Sequence, residues 1–389
     1  MQIVLVNNPV LERQFLQMPL SIYKNDPNWI RPLDKDVIQV FDPAKNKSFR
    51  SGKIERWLLL NEAGKTVGRI AAFINSKYKN KGDEVPVGGI GFFDCINDQQ
   101  AANLLFDTAK KWLEDKGLQA MDGPINFGER DRWWGLVTKG FQPPLYCMNY
   151  NPPYYVPLFE NYGFQIFYDQ VCFDMKPKDP LTAKVWERHN QLEKDKNFSS
   201  SHIDKNQLEK YAADFATVYN KAWAGHGGLK EMSKEQVLLL FKSMKPVMDE
   251  NIIRFAYYKD DPIALFVNLP DLNQWFKELN GKFGLFQKLK FLWLKKFKPN
   301  KKFCGLVFGV VPEWQGKGVD AYIIGQSAKV VQAEASPYTE YEMQWIGDFN
   351  PKMLNIANSL GDVSRSRNLS TYRYLFDRTR EFKRHPFLN

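Results

Sequence analysis

The stretch GLVFGVVPEWQGKGVDAYIIGQSA, Gly305–Ala328, decides how the rest of the chain is read. An apolar run suited to a strand meets Pro312, then a loop carrying Gly316 and Gly318, then a helical pattern. Such a loop presents backbone N–H groups at a helix N-terminus, where unpaired donors and the helix dipole favour an anion. Gly316 and Gly318 let the backbone approach phosphate oxygens, and Lys317 adds a point charge. The expected anion-binding set is Gln315, Gly316, Lys317, Gly318, Val319 and Asp320, preceded by Val310 and Val311 at the strand end. A Walker A loop does not fit, because Gly318 stands where Ser or Thr belongs, and a Rossmann fingerprint lacks its third glycine. An ordinary strand-to-helix turn is the alternative reading of the loop by itself.

Working outward, a hairpin precedes this strand at Ile252–Tyr258 and Ile263–Leu269, turning at Lys259–Pro262, and a strand follows the helix at Tyr341–Ile346. The same order occurs earlier. Glu55–Leu60 and Val67–Ile74 read as a hairpin around Asn61–Gly64, followed by the glycine-rich strand Val87–Cys95, the amphipathic helix Gln99–Lys116, and a strand near Leu118–Met121. The prolines and charges of Asp174–Thr182 mark the join. The expected domains are therefore 1–178 and 179–389. The two halves differ at one place. After Cys95 the chain reads INDQQAA, with no glycine and no basic residue to cradle a phosphate.

The chain has 389 residues, too many for one ordinary domain and enough for two. It is 44% hydrophobic and 25% charged, which excludes a disordered chain. A net charge of +10 favours an anionic partner. The four cysteines are scattered with no CxxC pair, and the first residues lack the basic and small-residue features of a secretory signal. A cytoplasmic protein with free thiols is expected. The four histidines have no metal-ligand spacing, so no metal is expected.

VVPEWQGKGVDAYII resembles motif A of the GNAT superfamily of acyl-CoA N-acyltransferases, whose loop reads Gln/Arg-x-x-Gly-x-Gly/Ala. Gln315 and Gly318 match, while Asp320 stands where Gly or Ala is usual. YEMQWIGDFNPKMLNIANSLG resembles the strand and helix that follow in that family, with Asn350 and Gly361 fitting the ends of the pattern. YYVPLFENYGFQIFYD, Tyr154–Asp169, looks like a GNAT helix-to-strand ending in the first half. GPINF (Gly123–Phe127), GFQPPLYCMNYNPPYY (Gly140–Tyr155), NLPDLNQWFKELNG (Asn268–Gly281) and GVVPEWQGKGVD (Gly309–Asp320) together resemble the bacterial ceramide synthase-like branch of tandem GNAT proteins. The resemblance implies a mixed α/β fold: two tandem GNAT-like domains, each a central mixed twisted sheet flanked by helices, the first without a working cofactor loop. It implies CoA or acyl-CoA as co-substrate and transfer of an acyl group, a long fatty chain included, to an amine such as a sphingoid base. A Fem-type transferase using charged tRNA and a non-catalytic CoA- or lipid-binding protein are the competing readings.

GNAT chemistry is attack of an amine on a thioester, helped by a base and by N–H groups facing the developing oxyanion. Val310 and Val311 are the expected oxyanion donors. Glu342 is the expected base, since alternation puts Glu340, Glu342 and Gln344 on one strand face. Glu313 competes with it by position, and His226, in WAGHGGL, is a second proton carrier. Asn126 and Glu129 are placed in a groove between the halves without a chemical role. The resemblance puts Ala357 where many relatives have a tyrosine acid; Tyr372 or Tyr374, in STYRYLF, is the expected substitute, and Tyr372 is taken into the catalytic set. Asn350 joins the cofactor set through the same resemblance. The insertion Asp271–Lys302 is basic and aromatic. At helical spacing Phe286, Leu289, Trp293 and Phe297 share a face flanked by Leu285 and Leu292, with Lys288, Lys290, Lys295, Lys296 and Lys298 on the remainder. An anionic membrane surface is its expected partner and nucleic acid is not, so a peripheral position on the inner membrane face is expected.

Overall fold

The computed structural model describes residues 1–223 and 231–388. In the first half, β1 (Gln2–Leu5), β2 (Gly52–Leu60), β3 (Thr66–Asn75) and β4 (Val87–Cys95) form an antiparallel meander. Helix α1 (Gln99–Glu114) then crosses over to β5 (Ala120–Gly123), which runs parallel to β4. In the second half, β8 (Phe198–His202), β9 (Ile253–Tyr258), β10 (Asp261–Pro270) and β11 (Lys302–Val310) form the equivalent meander. Helix α7 (Val319–Val331) crosses to β12 (Glu340–Gly347), parallel to β11. Between them lie α2 (Tyr155–Tyr162), α3 (Ala183–Glu193), α4 (Leu208–Trp223), α5 (Lys234–Met244) and α6 (Leu285–Phe297); α8 (Pro351–Asn358) follows β12.

The local reasons are those of the sequence. Helix α1 buries Ala101, Ala102, Leu105, Phe106, Ala109 and Leu113 on one stripe, starts at the Asp98 cap and stops before Gly117 at φ 80°. The β9–β10 hairpin turns through Lys259 and Asp260, both at positive φ. Each half has its own apolar core, one around Phe106 and Phe159, the other around Phe255, Leu265 and Ile323.

The halves are not closed by their own last strands. Strand β7 (Gln165–Met175), written at the end of the first half, pairs with β12 of the second. Strand β13 (Ser364–Leu375), near the end of the chain, pairs with β5 of the first, and the short β6 (Leu136–Lys139) adds to it. β7 and β13 also pair with each other, so one continuous sheet runs β1-β2-β3-β4-β5-β13-β7-β12-β11-β10-β9-β8. A cut at residue 178 therefore leaves each half holding the other's closing strand.

Candidate acyl-CoA site

Strands β11 and β12 pair only from Lys302↔Glu340 to Gly305↔Met343, yet they continue to Val310 and Gly347. Beyond the last pair they separate. Gly305–Phe308 on one wall and Met343–Ile346 on the other are half-buried, although they lie deep within a twelve-strand path. The N–H of Val311 donates to Ile263 O at 2.9 Å, towards β10. Antiparallel alternation then turns the amides of Val310 and Phe308 to the opposite side, into the gap. The Val310 amide thus faces the gap. Val311 does not, because its amide is committed to β10.

The loop follows directly. Gln315 Nε2 donates to Val310 O at 3.0 Å and ties the loop back to the strand end. Trp314 packs edge-on to Phe198 and tilted on Tyr258, and Lys317 Nζ lies 5.2 Å from the Trp314 ring centre. Gly316 and Gly318 adopt φ 73° and 84°, the left-handed region that favours glycine. Gly318 caps α7 without a side chain, and the amides of Gly316, Gly318, Val319 and Asp320 have no protein acceptor among the described residues. These amides and the helix dipole form an anion cradle. Arg188 on α3 stands beside it: a side chain added at Gly318 would start 3.5 Å from Arg188 Cβ. Nothing in the sequence marked Arg188, since its helix is distant in sequence and the residue is one exposed arginine among many. Trp223, at the end of α4, also went unmarked. Its indole nitrogen is buried without a partner among the described residues, close against Gly309. Asp320 lies in the first turn of α7, half-buried.

Glu342 is not a free base. It is fully buried, and its oxygens accept from Lys302 Nζ at 2.6 Å, Arg367 Nε at 2.6 Å, Arg367 Nη2 at 3.0 Å and Ser366 Oγ at 3.2 Å. Burial pushes its carboxyl up, but Arg367 and Lys302 outweigh burial and hold it below the usual range. A carboxylate so engaged is a structural anion. Tyr372 is corrected as well. Strand exchange carries it into the first half, where its buried phenol donates to Glu160 at 3.0 Å and its ring packs on Phe159. Asn350 caps α8, accepting from Met353 N at 3.3 Å, and does not join the loop. Ala357 is buried in α8. Glu313 and Glu129 are exposed, and Asn126 is buried with its Oδ1 unpartnered among the described residues. His226 lies outside the described residues.

No family model matches the chain. A curated relative, "Bacterial ceramide synthase" of Caulobacter vibrioides, is 25% identical over 378 residues, 96% of each chain. Protein YghO of Escherichia coli K12 is 25% identical over 359 residues, 90% of this chain and 89% of the relative. Among solved structures, a tandem GNAT protein from the clavulanic acid biosynthesis pathway superposes with a TM-score of 0.54 at 9% identity, covering 96% of this chain and 98% of that one. The GCN5-related glucosamine N-acetyltransferase region of a fungal multi-domain β-N-acetylglucosaminidase also gives 0.54, at 12% identity. There the chain is covered over 96% of its length and spans 38% of the longer protein. The architecture is that of a tandem GNAT protein.

Proposed function

We propose that this chain, a tandem GNAT fold with one open crossover, transfers an acyl group from an acyl-CoA thioester to an amine. The observation that carries the reading is the gap between β11 and β12, opening beside a glycine loop with unpartnered amides. The loop and Arg188 suit a pyrophosphate, and the gap suits an extended pantetheine arm and acyl chain. The acceptor nitrogen attacks the thioester carbonyl, the C–N bond forms as the C–S bond breaks, the nitrogen gives up a proton, and CoA leaves as the thiol. The Val310 amide is the oxyanion donor in this scheme. With Glu342 and Tyr372 engaged elsewhere, His226 is the base we propose.

Half-buried Leu306, Phe308, Met343 and Trp345 along the gap support a long acyl chain, and the name of the Caulobacter relative supports a sphingoid-type acceptor. Four unpaired, buried cysteines suit a reducing compartment, and we place the reaction in the cytoplasm. The test is thiol release from acyl-CoAs of increasing chain length, with and without long-chain amines, and mass spectrometry of the product. Release that needs both substrates, with the amide as product, is expected. Release with water alone would make the protein a thioesterase, and tight CoA binding without release would make it a binding protein.

A further inference from the structure

Helix α6, Leu285–Phe297, turns its apolar residues outward. Phe291 and Leu294 point in and pack with Trp275, Phe276 and Leu279. Leu285, Phe286, Leu289, Leu292, Trp293 and Phe297 are 57–81% exposed. At 3.6 residues per turn these six fall within an arc of about 140°. Lys290 borders one edge of the arc, Lys288 and Lys295 border the other, and Lys296 lies within it, over the Phe297 ring at 5.3 Å. The helix contains no Asp or Glu. Two lysines also brace the helix on the protein: Lys290 donates to Glu278 O at 2.6 Å, and Lys295 donates to Pro246 O. The indole of Trp275 donates to Lys298 O at 2.9 Å and holds the C-terminal end.

We infer that α6 is a docking surface for an anionic lipid membrane, lying parallel to the bilayer with its outward arc among the acyl chains and with Lys288 and Lys296 reaching up to the headgroups. Apolar side chains over a third of the circumference, bordered by cations, match an interface that is apolar below and negative above. A second copy fits poorly, because a two-fold contact through this arc would set lysine edges against lysine edges. A nucleic acid backbone would take the lysines and leave six apolar side chains in water. Among the described residues no helix is long and apolar enough to cross a membrane, so the contact is with the surface. Vesicle binding requires no acyl-CoA, and the inference stands or falls apart from acyl transfer.

The experiment is co-sedimentation of the whole protein with vesicles of phosphatidylglycerol and phosphatidylcholine in equal parts, and of phosphatidylcholine alone, at low and high salt. The parent is expected to pellet with the anionic vesicles and at least tenfold less with the neutral ones. The triple variant Phe286→Ser/Leu289→Ser/Trp293→Ser and the pair Lys288→Glu/Lys296→Glu are each expected to lose at least tenfold in binding with an unchanged melting temperature. These positions lie outside the core, so a folded protein is expected. A parent that stays in the supernatant overturns the inference, as does either variant pelleting like the parent. A parent dimer that the triple variant turns into a monomer, with no vesicle binding in either, assigns the face to a second copy and overturns it too.

Discussion

The two crossovers share a topology and differ in what fills them. Between β4 and β5 the pairing ends at Gly89↔Asp122, and the chain itself closes the gap: Ile125 N donates to Ile90 O at 2.7 Å, and a Cβ on Gly91 would fall 2.0 Å from Ile125 O. The N-terminus of α1 is occupied by its own carboxylate, Asp98, which accepts from Ala101 N at 3.0 Å. Between β11 and β12 no segment fills the gap among the described residues, and the α7 N-terminus carries a glycine instead of an acid. In the first half a carboxylate at the helix cap and a stretch of backbone laid beside the strand thus occupy the places that stay open in the second. The sheet around them is kept.

The comparison breaks most severely if the halves are separated. Residues 1–178 and 179–389 expressed apart should each fail to give a folded monomer, and expressed together should recover a complex. A folded, soluble 1–178 by circular dichroism and thermal melting would show that β13 is dispensable to the first half. Next, Gly318→Glu places a side chain at φ 84° and a carboxylate in the anion cradle. CoA affinity by calorimetry should fall at least ~100-fold, about 2.7 kcal/mol. Asn97→Glu, in the equivalent first-half loop, should change it less than about twofold, with one CoA per chain in the parent. Two equal sites would erase the distinction between the crossovers.

A smaller effect is expected at Asp271, buried beside Lys302, Glu342 and Arg367, where burial raises the carboxyl to about 6. An unfolded aspartate titrates near 3.9. The folded state therefore binds the proton more tightly, and stability falls as pH rises from about 4 to about 6. Asp271→Asn should stabilise the protein by about 1–3 kcal/mol at pH 8 and hardly at all at pH 4, read from denaturant midpoints. A gain independent of pH would remove the titration from the account. Last, Gln315→Ala frees the Val310 carbonyl. A loss of about three- to tenfold in kcat/KM is expected, the worth of one hydrogen bond at a reacting strand end; no change would mean the loop needs no such tie.

Both hairpins, both crossover helices and the glycine loop were legible because each is written in a continuous run of residues. Gly316 and Gly318 announced a loop open to close backbone approach, and the stripe from Ala102 to Leu113 announced α1. What pairs across distance was not legible. Alternation put Glu342 on one face of β12 correctly, but it could not say that Lys302 and Arg367 would meet it there. Tyr372 was named as a stand-in for the tyrosine missing at Ala357, and β13 leads it away. The outward arc of α6 was readable as a pattern, but its exposure depended on Phe291 and Leu294 satisfying the protein with only two inward side chains.

The strand exchange has a consequence for how the chain is made. Arg373 on β13 forms an ion pair with Asp122 on β5, 251 residues earlier. At a synthesis rate of about 5–20 residues per second, β5 waits roughly 10–50 s on the ribosome before its neighbour exists. Throughout that interval the first half presents an open strand edge with buried-type side chains, the feature other chains add to most readily. β7 waits likewise for β12. The first half, though translated first, is therefore completed last, and its nascent edge is where a chaperone or an early aggregate would make contact.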